Sequence, residues 1–138
     1  MSRIEPIIVP DNAQPAGHYS AGVRHGGLVY VSGQLGVRSD GSHTADQPLE
    51  EQVRTALGNV LRVLAAAGLG PEDVVKVTAY IVGVGNWPRF NAIYAEMMGA
   101  AKPARAVVPV PELHYGYLIE IDAIAACRPL APTLEPRT

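Results

Sequence analysis

The sequence predicts an α+β fold: a mixed sheet built in the order ββαβαββ, with two helices on one of its faces. Two observations carry that prediction. Short runs rich in Val, Ile and Leu, bounded by Gly, Pro and Asp, read as strands, and two longer segments repeat their apolar residues at three- and four-residue spacing. Helices that alternate with strands in so short a chain belong on one face of a single sheet. With 138 residues, the chain is expected to form one domain, 1-127, followed by a Pro-containing tail, 128-138, expected to be disordered.

In order, Pro6, Pro10 and Pro15 surround an apolar Ile7-Ile8-Val9 cluster that reads as an edge segment. Tyr19 to Arg24 is the first strand, His25-Gly26-Gly27 a turn, and Leu28 to Gln34 a β-branched second strand, together a hairpin. The glycine in Ser32-Gly33-Gln34 permits either close approach of a ligand to the backbone or a bulge. After a polar loop over 38-47, Leu49, Val53, Ala56, Leu57, Val60, Leu61 and Leu64 mark a helix of about five turns. Pro48, then Glu50 and Glu51 in the first turn, signal its start, and Gly68 its stop. Val74 to Val82 is the third strand. Asn86-Trp87-Pro88 opens a second helix, with Phe90, Ile93, Tyr94, Met97 and Met98 on one stripe and Gly99 as its stop.

Two last strands, Ala104 to Val110 and Tyr117 to Ala126, are joined by the turn-like residues Pro111, Glu112, His114 and Gly116. Read as an antiparallel hairpin, they set Arg105 opposite Glu120, with side chains ~5 Å apart at Cβ. A cross-strand salt bridge and a functional pair both fit that placement. These strands are apolar at successive positions, as in Val107-Val108 and Leu118-Ile119, a pattern of burial on both faces. Two helices cover one face, so a second copy of the chain is expected on the other.

Composition narrows the chemistry. A net charge of −2 argues against a nucleic-acid binder, which carries a basic face. The single cysteine, Cys127, has no internal disulfide partner, and His18, His25, His43 and His114 lack metal-ligand spacing. No metal or cofactor is expected. No phosphate-binding glycine loop and no nucleophile elbow around Ser32 is present. With neither a leader-like N-terminus nor a run of 18 apolar residues, the cytoplasm is the expected compartment and no membrane partner is expected. A small polar set remains: Tyr19, Ser32, Asn91, Arg105 and Glu120. An arginine fork matches a carboxylate with two hydrogen bonds, and a glutamate can hold water or accept its proton. The pair suits hydrolysis of a small carboxylic acid without a cofactor.

Gly17-His18-Tyr19, Val31-Ser32-Gly33-Gln34, Asn91 within Phe90-Asn91-Ala92-Ile93-Tyr94, Pro103-Ala104-Arg105 and Ile119-Glu120-Ile121-Asp122-Ala123-Ile124-Ala125 together resemble the reactive intermediate deaminase family (Rid, or YjgF). The match runs in order from about Pro15 to Cys127. The resemblance implies a chorismate-mutase-like fold, a homotrimer with a pocket at each subunit seam, and hydrolysis of 2-imino acids to 2-keto acids and ammonia. It further implies that Arg105 grips the substrate carboxylate, that Glu120 acts on the attacking water, and that Tyr19, Ser32, Gly33, Asn91 and the Val107 backbone line the pocket. His18 replaces a frequent proline, Val107 a frequent cysteine, and Leu113-His114 a Leu-Pro. Some relatives have no measurable deamination, so a pathway-specific enzyme or a binder that holds a small carboxylate without turnover is the alternative. A ribonuclease or translation inhibitor is disfavoured by the net charge.

Overall fold

The computed structural model describes residues 3–129, and its described elements share one core. Strands are β1 (Glu5–Ile7), β2 (Gly22–His25), β3 (Leu28–Gln34), β4 (Val74–Val82), β5 (Ala104–Val110) and β6 (Ile119–Ala126); helices are α1 (Leu49–Ala66) and α2 (Trp87–Met98). They form one six-stranded sheet in the order β1-β2-β3-β6-β4-β5. The predicted mixed sheet and two helices are present, with one strand more than predicted. The Ile7 cluster contributes β1 at the sheet edge, paired antiparallel to β2.

The predicted hairpin between the last two strands does not form. β5 pairs parallel to β4, with Val77 beside Arg105, whereas β6 lies antiparallel between β3 and β4. The physical reason is the helix between β4 and β5. A strand–helix–strand unit returns the chain in the same direction, which makes its strands parallel neighbours. β5 therefore takes the outer side of β4, and the chain crosses back to put β6 in the centre of the sheet. Glu120 stands beside Tyr80 of β4, not opposite Arg105.

Helix α1 buries Leu49, Gln52, Val53, Ala56, Leu57, Val60, Val63 and Leu64, one continuous stripe at helical spacing. Its end is a Schellman turn: Gly68 has φ +78°, its N–H bonds to the Ala65 carbonyl, and the Leu69 N–H bonds to that of Leu64. Buried Gln52 ties three segments together. Its amide nitrogen donates to the Ala45 and Gln47 carbonyls, and its oxygen accepts from the Leu118 N–H at the entry to β6. Helix α2 adds Phe90, Ile93, Tyr94 and Met98 to the same core.

The strands supply that core from one face only. In β6, Ile119, Ile121, Ala123 and Ala125 are buried, and the alternate residues Glu120, Asp122, Ile124 and Ala126 are half-buried on the other face. Register carries the same division across the sheet: Val77 pairs with Ala123 and Arg105, and Tyr80 with Glu120 and Val108. Arg105 thus lies on the helix-covered face and Glu120 on the open one. The open face also presents Leu28, Tyr30, Val108 and Ile124, with Tyr30 39% and Val108 37% exposed. Most of the expected tail lies outside the described residues. Arg128, at its start, pairs with Glu72 and Asp73.

Candidate active site

Arg105 is fixed by helix α2. Its Nη1 donates to Asn91 Oδ1 at 2.9 Å, and its guanidinium carbon lies 4.8 Å from the Tyr94 ring centroid and 5.7 Å from that of Phe90. Asn91 and Tyr94 are three residues apart, so they share a helix face. A guanidinium over an aromatic ring is held by the ring's quadrupole and by stacking, without consuming its charge. Among the described residues the Arg105 side chain has no carboxylate partner and makes no other hydrogen bond. Most of its planar fork is unoccupied.

This arginine borders an open cleft of about 380 Å³ lined by Asn91, Tyr94, Met98, Lys102 and Pro103 among others. Val107 lies two residues along β5 from Arg105 on the same face, partly buried against the core rather than in the cleft. Tyr94 is 7% exposed, and its hydroxyl has no hydrogen-bond partner. Burial pushes its phenol pKa up, and the nearby Arg105 charge opposes that shift.

Glu120 is positioned by different means. A Cβ placed on Gly33 would stand 2.8 Å from Glu120 Oε2 and 3.2 Å from its Cδ, so the missing side chain is what admits the carboxylate against β3. The β3–β6 register shifts between Val31 and Gln34. The bulge reading of Gly33 therefore holds, and the close approach found there is that of the Glu120 side chain. Ser32 is tied into the neighbouring loop: its Oγ donates to the Ser20 carbonyl at 2.6 Å and its N–H to Ala21. Tyr19, beside Ser20, is 55% exposed and borders a second cleft of about 230 Å³ with Asn12, Ala13 and Ile7.

The electrostatics of this half are those of a desolvated carboxylate cluster. Burial raises the Glu120 pKa, His114 opposes it, and the neighbouring Asp122 raises it further. Burial likewise raises Asp122, against hydrogen bonding from Tyr80 and Thr78 and the charge of Lys76. Tyr80 in turn holds its proton more tightly, first because of Asp122.

The seven residues singled out in the sequence thus fall into two groups. Arg105, Asn91 and Val107 belong to the helix-covered face beside edge strand β5. Glu120, Gly33 and Ser32 gather where β3 meets β6, with Tyr19 on the loop that Ser32 anchors. The sequence reading took Tyr94 only as core and did not single out Asp122, Tyr80 or Lys102. The Asn91-to-Tyr94 spacing and the Glu120-to-Asp122 alternation were the signals available for the first two.

Comparison with known proteins comes to the same architecture. The family profile described as Endoribonuclease L-PSP matches residues 10–127. A RutC family protein of Pyrococcus horikoshii is 35% identical over 123 residues, covering 88% of this chain and 98% of that protein. A 2-iminobutanoate/2-iminopropanoate deaminase of Dermatophagoides farinae is 34% identical over 124 residues, covering 90% of this chain and 97% of the other. Among solved structures, E. coli TdcF with bound serine superposes with a TM-score of 0.82 at 30% identity, covering 90% of this chain and 99% of TdcF.

Proposed function

This chain belongs to the Endoribonuclease L-PSP family, the YjgF/Rid family that its motifs resemble, and within that family we propose that it is a cofactor-independent deaminase of reactive 2-imino acids. Its products are a 2-keto acid and ammonia. The observation that carries the reading is Arg105: a half-buried guanidinium aimed by a neutral amide and an aromatic ring, with no acidic partner among the described residues. Such a fork is built for a carboxylate that arrives from outside.

In this reading the imine carboxylate takes the free N–H groups of Arg105, which fixes C2 for attack. Water adds to C2, and Glu120 accepts the proton released as the new C–O bond forms. The nitrogen gains that proton, giving an adduct with a hydroxyl and an amino group on C2. The hydroxyl proton then passes to nitrogen, again by way of Glu120, the C–N bond breaks with its electron pair leaving on ammonia, and the oxygen becomes the keto carbonyl. A carboxylate whose pKa is raised by burial is a stronger base than one in water, which suits it to this exchange near neutral pH. Binding alone would need the arginine but not a desolvated glutamate.

Arg105 and Glu120 of one chain face opposite sides of its sheet, so each site takes them from different copies. The open face with Tyr30, Val108 and Ile124 is the surface a neighbouring copy would cover, and a homotrimer closes such a head-to-tail contact into a ring. The experiment that tests the function generates imines from several amino acids and measures keto-acid release with and without the protein. Acceleration supports the deaminase. No acceleration with any imine, together with intact keto-acid binding, would make the chain a carboxylate binder.

A further inference from the structure

The Arg105 cleft is more cationic than a carboxylate anchor requires. Lys102 and Arg105 both line it, and no Asp or Glu does, in a chain whose net charge is −2. Lys102 is exposed and makes no ion pair among the described residues. Pro103, between the two cations, restricts the backbone that separates them. The floor is Tyr94, whose buried hydroxyl is without a partner. In one copy the cleft measures about 380 Å³, within the ~300–1,000 Å³ span of ligand sites.

We infer that the Lys102 end of this cleft is a second anion subsite, so that the preferred substrate is a 2-imino acid with a second carboxylate at the end of its side chain. The inference rests on the reading of Arg105 as the anchor of the first carboxylate. Arg105 holds the carboxylate next to C2 as a planar fork, and Lys102 meets the distal one as a mobile point charge on a flexible stem. A purely alkyl side chain would leave that lysine unmatched and gain nothing from it.

The test compares the stable keto-acid products 2-oxoglutarate and 2-oxopentanoate, which have the same number of carbons and differ in the distal carboxylate. Their affinities are measured calorimetrically at one moderate ionic strength on wild type, Lys102→Ala and Lys102→Arg. The expected result is a preference of roughly tenfold or more for 2-oxoglutarate in wild type, the size of one charge-assisted contact. That ratio should collapse toward one in Lys102→Ala and return in Lys102→Arg. A wild-type ratio near one, or a ratio that survives in Lys102→Ala, overturns the subsite. Imine turnover on the same preparations separates the two readings: wild type that releases no keto acid from any imine defeats the deaminase proposal, while the affinity ratio still decides the subsite.

Discussion

Arg105 and Glu120 are both charged residues on strands, yet they are fixed in opposite ways. Arg105 sits on edge strand β5 and is steered by neutral groups, Asn91 Oδ1 and the Tyr94 ring, so its orientation is set and its charge is left unspent. Glu120 sits on central strand β6 and is steered by space, the missing side chain of Gly33, with a second carboxylate, Asp122, beside it. The first arrangement favours binding an anion. The second disfavours the charged form of the glutamate and so favours taking up a proton. The two residues lie on opposite faces of one sheet, so a single copy cannot bring them together.

The sharpest way to break this contrast is Glu120→Gln. Glutamine is nearly isosteric and accepts hydrogen bonds but takes no proton, so turnover should fall by about 10²–10⁴-fold, with keto-acid affinity largely retained. A parallel loss of affinity and melting temperature would instead make Glu120 a structural residue. Next in size is Gly33→Ala. Gly33 does not have a positive φ, and the atom its Cβ would strike is the far end of the Glu120 side chain, so the protein should fold with little loss of stability. The displaced carboxylate should nevertheless cost turnover, up to ~10²-fold for a misplacement of about 1 Å. Wild-type rates in Gly33→Ala would show that the close approach is incidental.

Arg105→Lys probes the other half. It keeps the charge and loses the fork, so affinity for small 2-keto acids should drop roughly tenfold or more, since charge-assisted hydrogen bonds contribute ~1.5–3 kcal/mol each. Unchanged affinity in calorimetry would assign the arginine to the α2 packing alone. The smallest effect is on stability against pH. Glu120 has a folded pKa above its unfolded value, so between those two values the folded state binds more protons and stability falls as pH rises. Melting temperatures of wild type and Glu120→Gln, followed upward from pH 4.5, should show a shallower decline in the variant. Asp122, shifted the same way, leaves part of the slope in place.

Local patterns carried much of the fold in the sequence. The α1 stripe, its Gly68 stop, β4 and the Asn86-Trp87-Pro88 entry to α2 needed only periodicity and cap chemistry, and all lie where those signals put them. Strand neighbours were not legible in the same way. The Val-rich β5 and Ile-rich β6 are consecutive strands, and consecutive strands usually pair. Here β4 had already claimed β5 as the second strand of a strand–helix–strand unit, a relation that no period-2 pattern encodes. The pairing of Arg105 with Glu120 was therefore misread as a cross-strand contact. Both residues remain in the proposed site, on opposite faces of the sheet. The partners that tune them lay on other elements, Tyr94 on helix α2 and Tyr80 on β4, and only the folded structure places them.

The central claim, that one copy supplies Arg105 and another Glu120, is tested most directly by mixing two inactive variants. Arg105→Ala and Glu120→Gln are each purified, shown to be inactive, then co-dissociated and reassembled in equal amounts. In randomly mixed trimers about a quarter of the seams pair an intact Arg105 with an intact Glu120 from its neighbour. The account predicts that imine hydrolysis returns to about that fraction of the wild-type rate. A mixture that exchanges subunits yet stays as inactive as its parents would contradict it.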